Sequence, residues 1–191
     1  MASWIHEYKT KKVEFVKQIP TARQLFPPTS SEKVVVIDLD GLYLCRAVEF
    51  ECTEKMVKNM DSYLTRPYFD EFLRSICSLI GPYSLVVCMD TSRDDLVNMV
   101  FAMTYGKRKL KFLENSVTAV LASECYMEVN GERKLDKEAV SREINQIKGT
   151  SVNAVYVQDL AYYRPFTFDE LVPRDHLTEM LTLIRELRLK L

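Results

Sequence analysis

A run of four β-branched residues, Val34 to Ile37, ends in two aspartates, Asp38 and Asp40, which are followed by Gly41. An unbroken apolar run of this kind is typical of a strand buried on both faces, as the strands of a parallel sheet are. Similar runs follow at 83–89, 117–123 and 152–159. Helical patterns lie between them, and this alternation predicts an α/β fold with a doubly wound parallel sheet.

The intervening segments predict the remaining elements. Apolar spacing and cap residues predict helices over 66–80, 92–104, 136–147 and 173–189, with Asp175 as the N-cap of the last. Asn130-Gly131 between two extended stretches predicts a hairpin over 125–135. Residues 46–65 are interpreted as irregular or partly helical. Residues 1–30 are interpreted as an N-terminal extension packed on a domain of residues 31–191, with a docking arm for a partner as the alternative.

The composition bounds the class of protein. The chain has 191 residues, is 47% hydrophobic and 28% charged, and carries a net charge of −1. These values suit one globular domain and argue against a nucleic-acid-coating protein or a polybasic membrane binder. Five cysteines without C-x-x-C spacing indicate reduced thiols rather than disulfides or a zinc site. With no apolar run near the ~20 residues of a membrane span and no leader pattern, a cytoplasmic or nuclear location is expected.

Polar side chains follow three of the predicted strands. Ligands of parallel α/β sheets bind at the carboxyl ends of the strands, so these residues are expected to meet at one edge. Converging carboxylates repel one another unless a cation or a shared proton compensates, and a hard divalent cation such as Mg²⁺ suits them. The residues concerned are Asp38 and Asp40, then Asp90, Thr91 and Ser92, then Gln158 and Asp159, with Arg133 and Lys134 of the hairpin beside them.

The D-x-D pair has a specific chemical use. An ionised aspartate beside a metal can attack phosphorus and form an aspartyl-phosphate. A turn at Gly41 would allow Asp40, two residues on, to face the same site as Asp38. There Asp40 could protonate the leaving oxygen and later activate water, while Asp38 acts as the nucleophile.

These segments resemble a known family. "DLDGL" is similar to the first motif, D-x-D-x-[TV], of the haloacid dehalogenase superfamily. "RPYFDEFL", the Asn-Gly hairpin, "AVYVQDLAYY" and "DHLTEMLTLIREL" resemble, in order, segments of its branch of small phosphatases acting on the RNA polymerase II C-terminal domain. The resemblance covers roughly residues 33–190. It implies a haloacid-dehalogenase-like (Rossmannoid) fold with helices flanking the parallel sheet, a small hairpin as the only insert near the site, and no large cap.

The resemblance also implies roles for particular residues. Asp38 would be the nucleophile and Asp40 the general acid/base. Lys134 would be the catalytic lysine, with Lys137 as second choice. Mg²⁺ would be held by Asp38, by the backbone carbonyl of Asp40 and by Asp159.

Other positions depart from the family pattern. Leu42 replaces a threonine, and Gln158 replaces the first aspartate of the fourth motif. Asp90 stands where a phosphate-binding Thr or Ser is expected, unless a shift brings Thr91 and Ser92 to the phosphate; capping of the following helix is an alternative for Asp90. The metal shell is therefore retained while the phosphate shell is eroded.

This pattern favours a degenerate, protein-binding phosphatase homologue, a pseudophosphatase. The alternative is an active Mg²⁺-dependent phosphoserine/phosphothreonine protein phosphatase. A nucleic-acid-binding module is third, and only the basic cluster at 107–111 supports it. That cluster is otherwise a solvated loop or a docking patch for an acidic or phosphorylated partner. The aromatics of 161–166 are either local packing or a peptide-recognition surface.

Overall fold

The computed structural model describes residues 33–46, 63–166 and 174–191. The predicted 1–30 extension therefore lies outside the described residues. The strands are β1 (Lys33–Asp38), β2 (Leu44–Arg46), β3 (Tyr63–Thr65), β4 (Leu85–Cys88), β5 (Val117–Leu121), β6 (Tyr126–Val129), β7 (Glu132–Leu135) and β8 (Asn153–Tyr156). The helices are α1 (Phe69–Leu79), α2 (Arg93–Tyr105), α3 (Lys137–Lys148) and α4 (His176–Lys190).

A four-stranded parallel sheet forms the centre, in the order β5-β4-β1-β8. This confirms the α/β class with a parallel sheet flanked by helices. The central strands β1 and β4 are buried on both faces because they are apolar at every inner position. Strands β4, β5 and β8 are shorter than the runs 83–89, 117–123 and 152–159, and the last residues of each of these runs already form the turns that follow.

The sheet separates two apolar layers. Val35, Ile37 and Val87 lie on one face and pack with residues of α1, α2 and α4. Val34 and Val36 lie on the other face and pack with α3. Successive side chains of a strand point to opposite faces, so the uninterrupted valine run supplies both layers at once. The first strand is also tied to the end of α4, because Lys33 Nζ donates to the Lys190 carbonyl at 2.8 Å.

The predicted hairpin is present as β6 and β7. Asn130 and Gly131 both have positive φ, +53° and +79°, which is what a two-residue type I′ turn requires. It is not the only insert near the D-x-D pair, however. Strands β2 and β3 form an antiparallel pair directly after the turn that follows β1. Each has only three residues, and so short a strand leaves no periodic signal, which is why 46–65 was expected to be irregular or partly helical.

The residue that precedes each of the helices α1 and α4 determines where that helix begins. Asp175 caps α4 as predicted, by accepting a hydrogen bond from the Thr178 amide at 3.0 Å. Helix α1 begins at Phe69 rather than near Pro67, because Tyr68 adopts a left-handed φ of +62°. Within the described ranges, no helix is both long and apolar enough to cross a membrane.

Candidate functional site

The candidate site lies at the carboxyl edge of the parallel sheet. Asp38 is the last residue of β1 and is level with Cys88, the last residue of β4. Since β1 lies between β4 and β8, Asp38 is central, Asp90 follows the strand on one side, and Asp159 lies in the 3-10 turn after the strand on the other. The chain topology thus brings the three predicted acidic positions to one edge of the sheet.

A glycine turn follows Asp38. The Asp38 Oδ1 atom accepts a hydrogen bond from the Asp40 amide at 2.9 Å, and Gly41 has a φ of +78°. A Cβ at Gly41 would lie 3.1 Å from the Tyr163 hydroxyl, and the Phe166 amide donates to the Gly41 carbonyl. Glycine is therefore needed both for the backbone conformation and for the close approach of the 163–166 segment.

The Asp38 carboxyl group has a strongly raised pKa. The pKa of Asp38 is raised from 3.8 to about 7, mainly by burial and to a smaller extent by the negative charges of Asp40 and Asp90. The Tyr126 hydroxyl and the Asp40 amide oppose the rise. No cation within ion-pair distance of Asp38 is present in the described parts of the chain. A buried carboxyl group without a counter-ion is costly to ionise, and such groups concentrate at functional sites.

Two side chains at this edge of the sheet, Tyr126 and Gln158, have buried polar atoms without a hydrogen-bond partner among the described residues. The Tyr126 hydroxyl is buried and close enough to lower the pKa of Asp38, yet no atom of the described residues meets it at ordinary hydrogen-bond geometry. Both amide atoms of the Gln158 side chain are also buried without a partner. Gln158 lies in the 3-10 turn that follows β8, the strand that pairs with β1. Buried polar groups are normally satisfied, so an edge with several unsatisfied ones is a good candidate for a ligand site.

The Asp90 carboxylate forms an ion pair with an arginine and does not cap the following helix. Arg133 of β7 donates to both Asp90 oxygens at 3.1 Å, in a two-pronged ion pair, and also to the Ser123 carbonyl. Ser92, not Asp90, caps α2: its Oγ accepts from the Asp95 amide at 3.2 Å and donates to the Asp95 carboxylate at 2.6 Å. The Ser92 hydroxyl, predicted to bind phosphate, is thus already engaged.

Asp159 is held by a lysine. Lys137 Nζ lies 2.6 Å from both Asp159 oxygens, and the two side chains are about half exposed. Lys134, the first choice for the catalytic lysine, points elsewhere and pairs with Glu132 of the same strand at 3.4 Å. The structure therefore brings Lys137, the second choice, to the candidate site.

The predicted Mg²⁺ set can be compared with these contacts. Among the described residues, no three His, Cys, Asp or Glu side chains lie together in a group that could hold a metal. Two carboxylates and one backbone carbonyl were predicted, but both oxygens of one carboxylate, Asp159, are taken by Lys137. As arranged, these donors do not form a ready Mg²⁺ shell, and metal binding stays a prediction.

A cluster of arginines fixes the loop beside the site. Arg66 is 1% exposed and donates to Glu179 at 2.5 Å, and Arg174 donates to the same carboxylate at 2.7 and 3.1 Å. Both arginines also donate to the carbonyl of Arg164, and Arg174 donates to that of Pro165. Because the next residue bonds to the turn after Asp38, this cluster determines where the loop lies relative to the acidic pair.

Sequence reasoning missed Tyr126 and the pairing role of Arg133, and it named Tyr163 only as one of the aromatics of 161–166. Burial raises the pKa of Tyr163, and Asp38 and Asp40 raise it further while Arg66 lowers it, which places this tyrosine between the acidic pair and the arginine cluster. Tyrosines in a hairpin or a loop carry no spacing signal, so only the fold reveals them. No protein-family model matches this chain, and no curated protein matches it significantly.

Proposed function

We propose that this chain is a degenerate phosphatase-like domain of the haloacid dehalogenase type that acts mainly by binding protein partners. The observation that carries this proposal is the pairing of the cationic side chains at the sheet edge. Arg133 is bound to Asp90 and Lys137 to Asp159. A phosphoryl group arriving at Asp38 therefore meets no unpaired cation among the described residues.

Charge repulsion supports the same proposal. Phosphoryl transfer is catalysed largely by positive groups and hydrogen-bond donors aimed at the transferring oxygens, each worth roughly 3–4 kcal/mol. Here the Ser92 hydroxyl donates to Asp95, and Asp90 adds a carboxylate beside the nucleophile position. The raised pKa of Asp38 also leaves only part of this group ionised near pH 7, and only the ionised form is a nucleophile.

One observation favours the alternative, an active Mg²⁺-dependent phosphoserine/phosphothreonine phosphatase. Arg133 and Lys137 offset two of the four carboxylates at the edge, so the uncompensated charge is smaller than the sequence alone suggests. A metal would then be held by Asp38 and by the backbone carbonyl of Asp40, as the resemblance implies. In this alternative Asp38 is the nucleophile, Asp40 the general acid/base, and Lys137 rather than Lys134 the lysine at the site.

Turnover assays separate the two functions. We expect the wild-type protein to hydrolyse p-nitrophenyl phosphate or a phosphoserine peptide no faster than Asp38→Asn, at pH 7 with millimolar Mg²⁺. Turnover that is clearly above background and is abolished by Asp38→Asn would establish the active phosphatase instead. The proteins that co-purify with the chain should be the same for the wild type and Asp38→Asn.

The pairing itself can be tested by phosphate binding. In Asp90→Asn, Arg133 loses its counter-ion and the edge loses one negative charge, so inorganic phosphate should bind several-fold more tightly in calorimetry. Glu132→Gln is the matched control, because it releases Lys134 on the same hairpin without changing the site. Equal phosphate affinity for the wild type and Asp90→Asn would remove the main support for the proposal.

A further inference from the structure

The segment Lys107–Lys111, here called the basic loop, follows α2 and carries four basic side chains in five residues. The rest of the chain is acidic on balance, since the net charge of the whole is −1. Lys107, Lys109 and Lys111 are exposed. No carboxylate of the described residues forms an ion pair with any of these three lysines. The loop therefore presents a local, uncompensated positive charge.

The two residues between the lysines anchor the loop. Leu110 is 2% exposed and belongs to the main core, and its amide donates to the Met103 carbonyl at 3.1 Å. Arg108 donates to Asp70 at 2.7 Å and to the Tyr43 hydroxyl, and its guanidinium lies 5.1 Å from the centre of the Tyr43 ring. Alternate residues thus hold the backbone while the three lysines face solvent.

The backbone of the loop is also strained. Lys109 has a φ of +52°, in the left-handed region that side chains other than those of glycine and asparagine seldom occupy. A lysine in this conformation costs free energy that a glycine would not, and solubility alone does not require a lysine there. Strained residues held by surrounding contacts cluster at sites that bind ligands.

We infer that the basic loop is a docking surface for an extended acidic peptide segment of a partner protein. This inference rests on the proposal that the chain binds proteins. Carboxylates at alternate positions of an extended peptide lie on one side, about 6.8 Å apart, and so present several negative charges to the three exposed lysines of the loop. The anchored backbone lowers the entropy lost on binding, because the loop need not be ordered first.

The flanking aromatic rings argue for a peptide rather than a nucleic acid. Single-stranded nucleic acids bind basic grooves that also offer free aromatic faces on which bases stack. Tyr105 packs against Phe101 with ring centres 4.9 Å apart, and Phe112 lies under the Arg74 guanidinium at 5.0 Å. Both rings that flank the basic loop are therefore already covered within the domain.

The test is a direct binding measurement on the full chain. The probe is a fluorescein-labelled nine-residue peptide of alternating glutamate and threonine, followed by anisotropy at 50 mM NaCl. The triple variant Lys107→Ala/Lys109→Ala/Lys111→Ala should bind it roughly ten- to hundred-fold more weakly, as expected for the loss of three exposed ion pairs. Raising the salt to 500 mM should weaken wild-type binding as well.

A second triple variant controls for net charge. Arg142→Ala/Arg185→Ala/Arg188→Ala also removes three positive charges, but from exposed positions of α3 and α4. This variant should bind the peptide as tightly as the wild type does. Equal weakening in both triple variants, no binding to the wild type at 50 mM NaCl, or tighter binding of a single-stranded oligouridine than of the peptide would each overturn the inference.

Failure of the docking surface can be distinguished from failure of the proposed function. Peptide binding that depends on the basic loop, together with turnover that depends on Asp38, would reject the degenerate phosphatase and keep the docking surface. Absence of turnover together with absence of peptide binding would keep the degenerate phosphatase and reject the docking surface. Each measurement thus tests one of the two proposals without depending on the result of the other.

Discussion

The buried Asp38 carboxyl group should make the folded protein progressively less stable as the pH rises from about 4 to about 7. Its pKa is raised from 3.8 to about 7, mainly by burial. Between these values the unfolded chain loses the proton while the folded chain keeps it, so the free energy of unfolding falls as the pH rises through this window. A difference of about three pH units corresponds to roughly 4 kcal/mol at pH 8.

Asp38→Asn removes the ionisation but can keep the hydrogen bond, because the Asn carbonyl oxygen can accept from the Asp40 amide as the carboxylate does. The variant should match the wild type near pH 4 and exceed it by several kcal/mol at pH 8, about 4 at most. The assay is urea unfolding of both proteins at half-unit steps from pH 4 to 8.5, in EDTA so that no divalent cation compensates the charge.

Asp175→Asn is a control of opposite sign. Hydrogen bonds from Thr178 lower the pKa of Asp175, so its carboxylate contributes stability above the ordinary pKa that is lost as the pH falls. Parallel stability curves for the wild type and Asp38→Asn across the whole range would refute the reasoning, since they would mean that Asp38 ionises normally in the folded protein.

Three further changes test separate contacts. Lys137→Ala releases Asp159, so 10 mM Mg²⁺ should raise the melting temperature of this variant more than that of the wild type. Glu179→Gln leaves the Arg66 guanidinium buried without its counter-ion and should cost roughly 3–5 kcal/mol in urea unfolding. Lys109→Gly relieves the left-handed strain of the basic loop and should add ~1 kcal/mol to the free energy of unfolding.

Each of these changes has a matched control. Lys134→Ala removes a hairpin lysine that does not contact Asp159 and should leave the Mg²⁺ response unchanged. Asp70→Asn breaks an exposed ion pair and should cost at most about 1 kcal/mol, so a similar loss in Glu179→Gln would contradict the burial argument. Lys107→Gly, at a position without positive φ, should not raise the free energy of unfolding. Equal increases in the free energy of unfolding at both positions would exclude strain as the cause.

The sheet was predictable because its signal is local. Each uninterrupted apolar run, such as Val34 to Ile37, can be satisfied only by burial on both faces, and Asn130-Gly131 fixes its own turn. The β2–β3 pair was not predictable, since three residues give no periodicity.

The pairing at the candidate site was only partly predictable. The sequence indicates that Arg133, Lys134 and Lys137 are near the sheet edge, but neighbouring side chains of a strand point to opposite faces. Which face meets Asp90 depends on the register and twist of the hairpin, which the sequence pattern does not determine. The structure selects Arg133 for Asp90 and Lys137 for Asp159.

The tie between the first strand of the sheet and the end of α4 has a consequence for synthesis on the ribosome. Lys33 and Lys190 are separated by 157 residues, and β1 receives its neighbour β8 only when most of the chain has emerged. Until then the valine-rich strand keeps one unpaired edge, which is a template for aggregation. Folding dominated by such distant contacts is slow, so this edge of β1 should stay exposed at least until β8 has emerged from the ribosome.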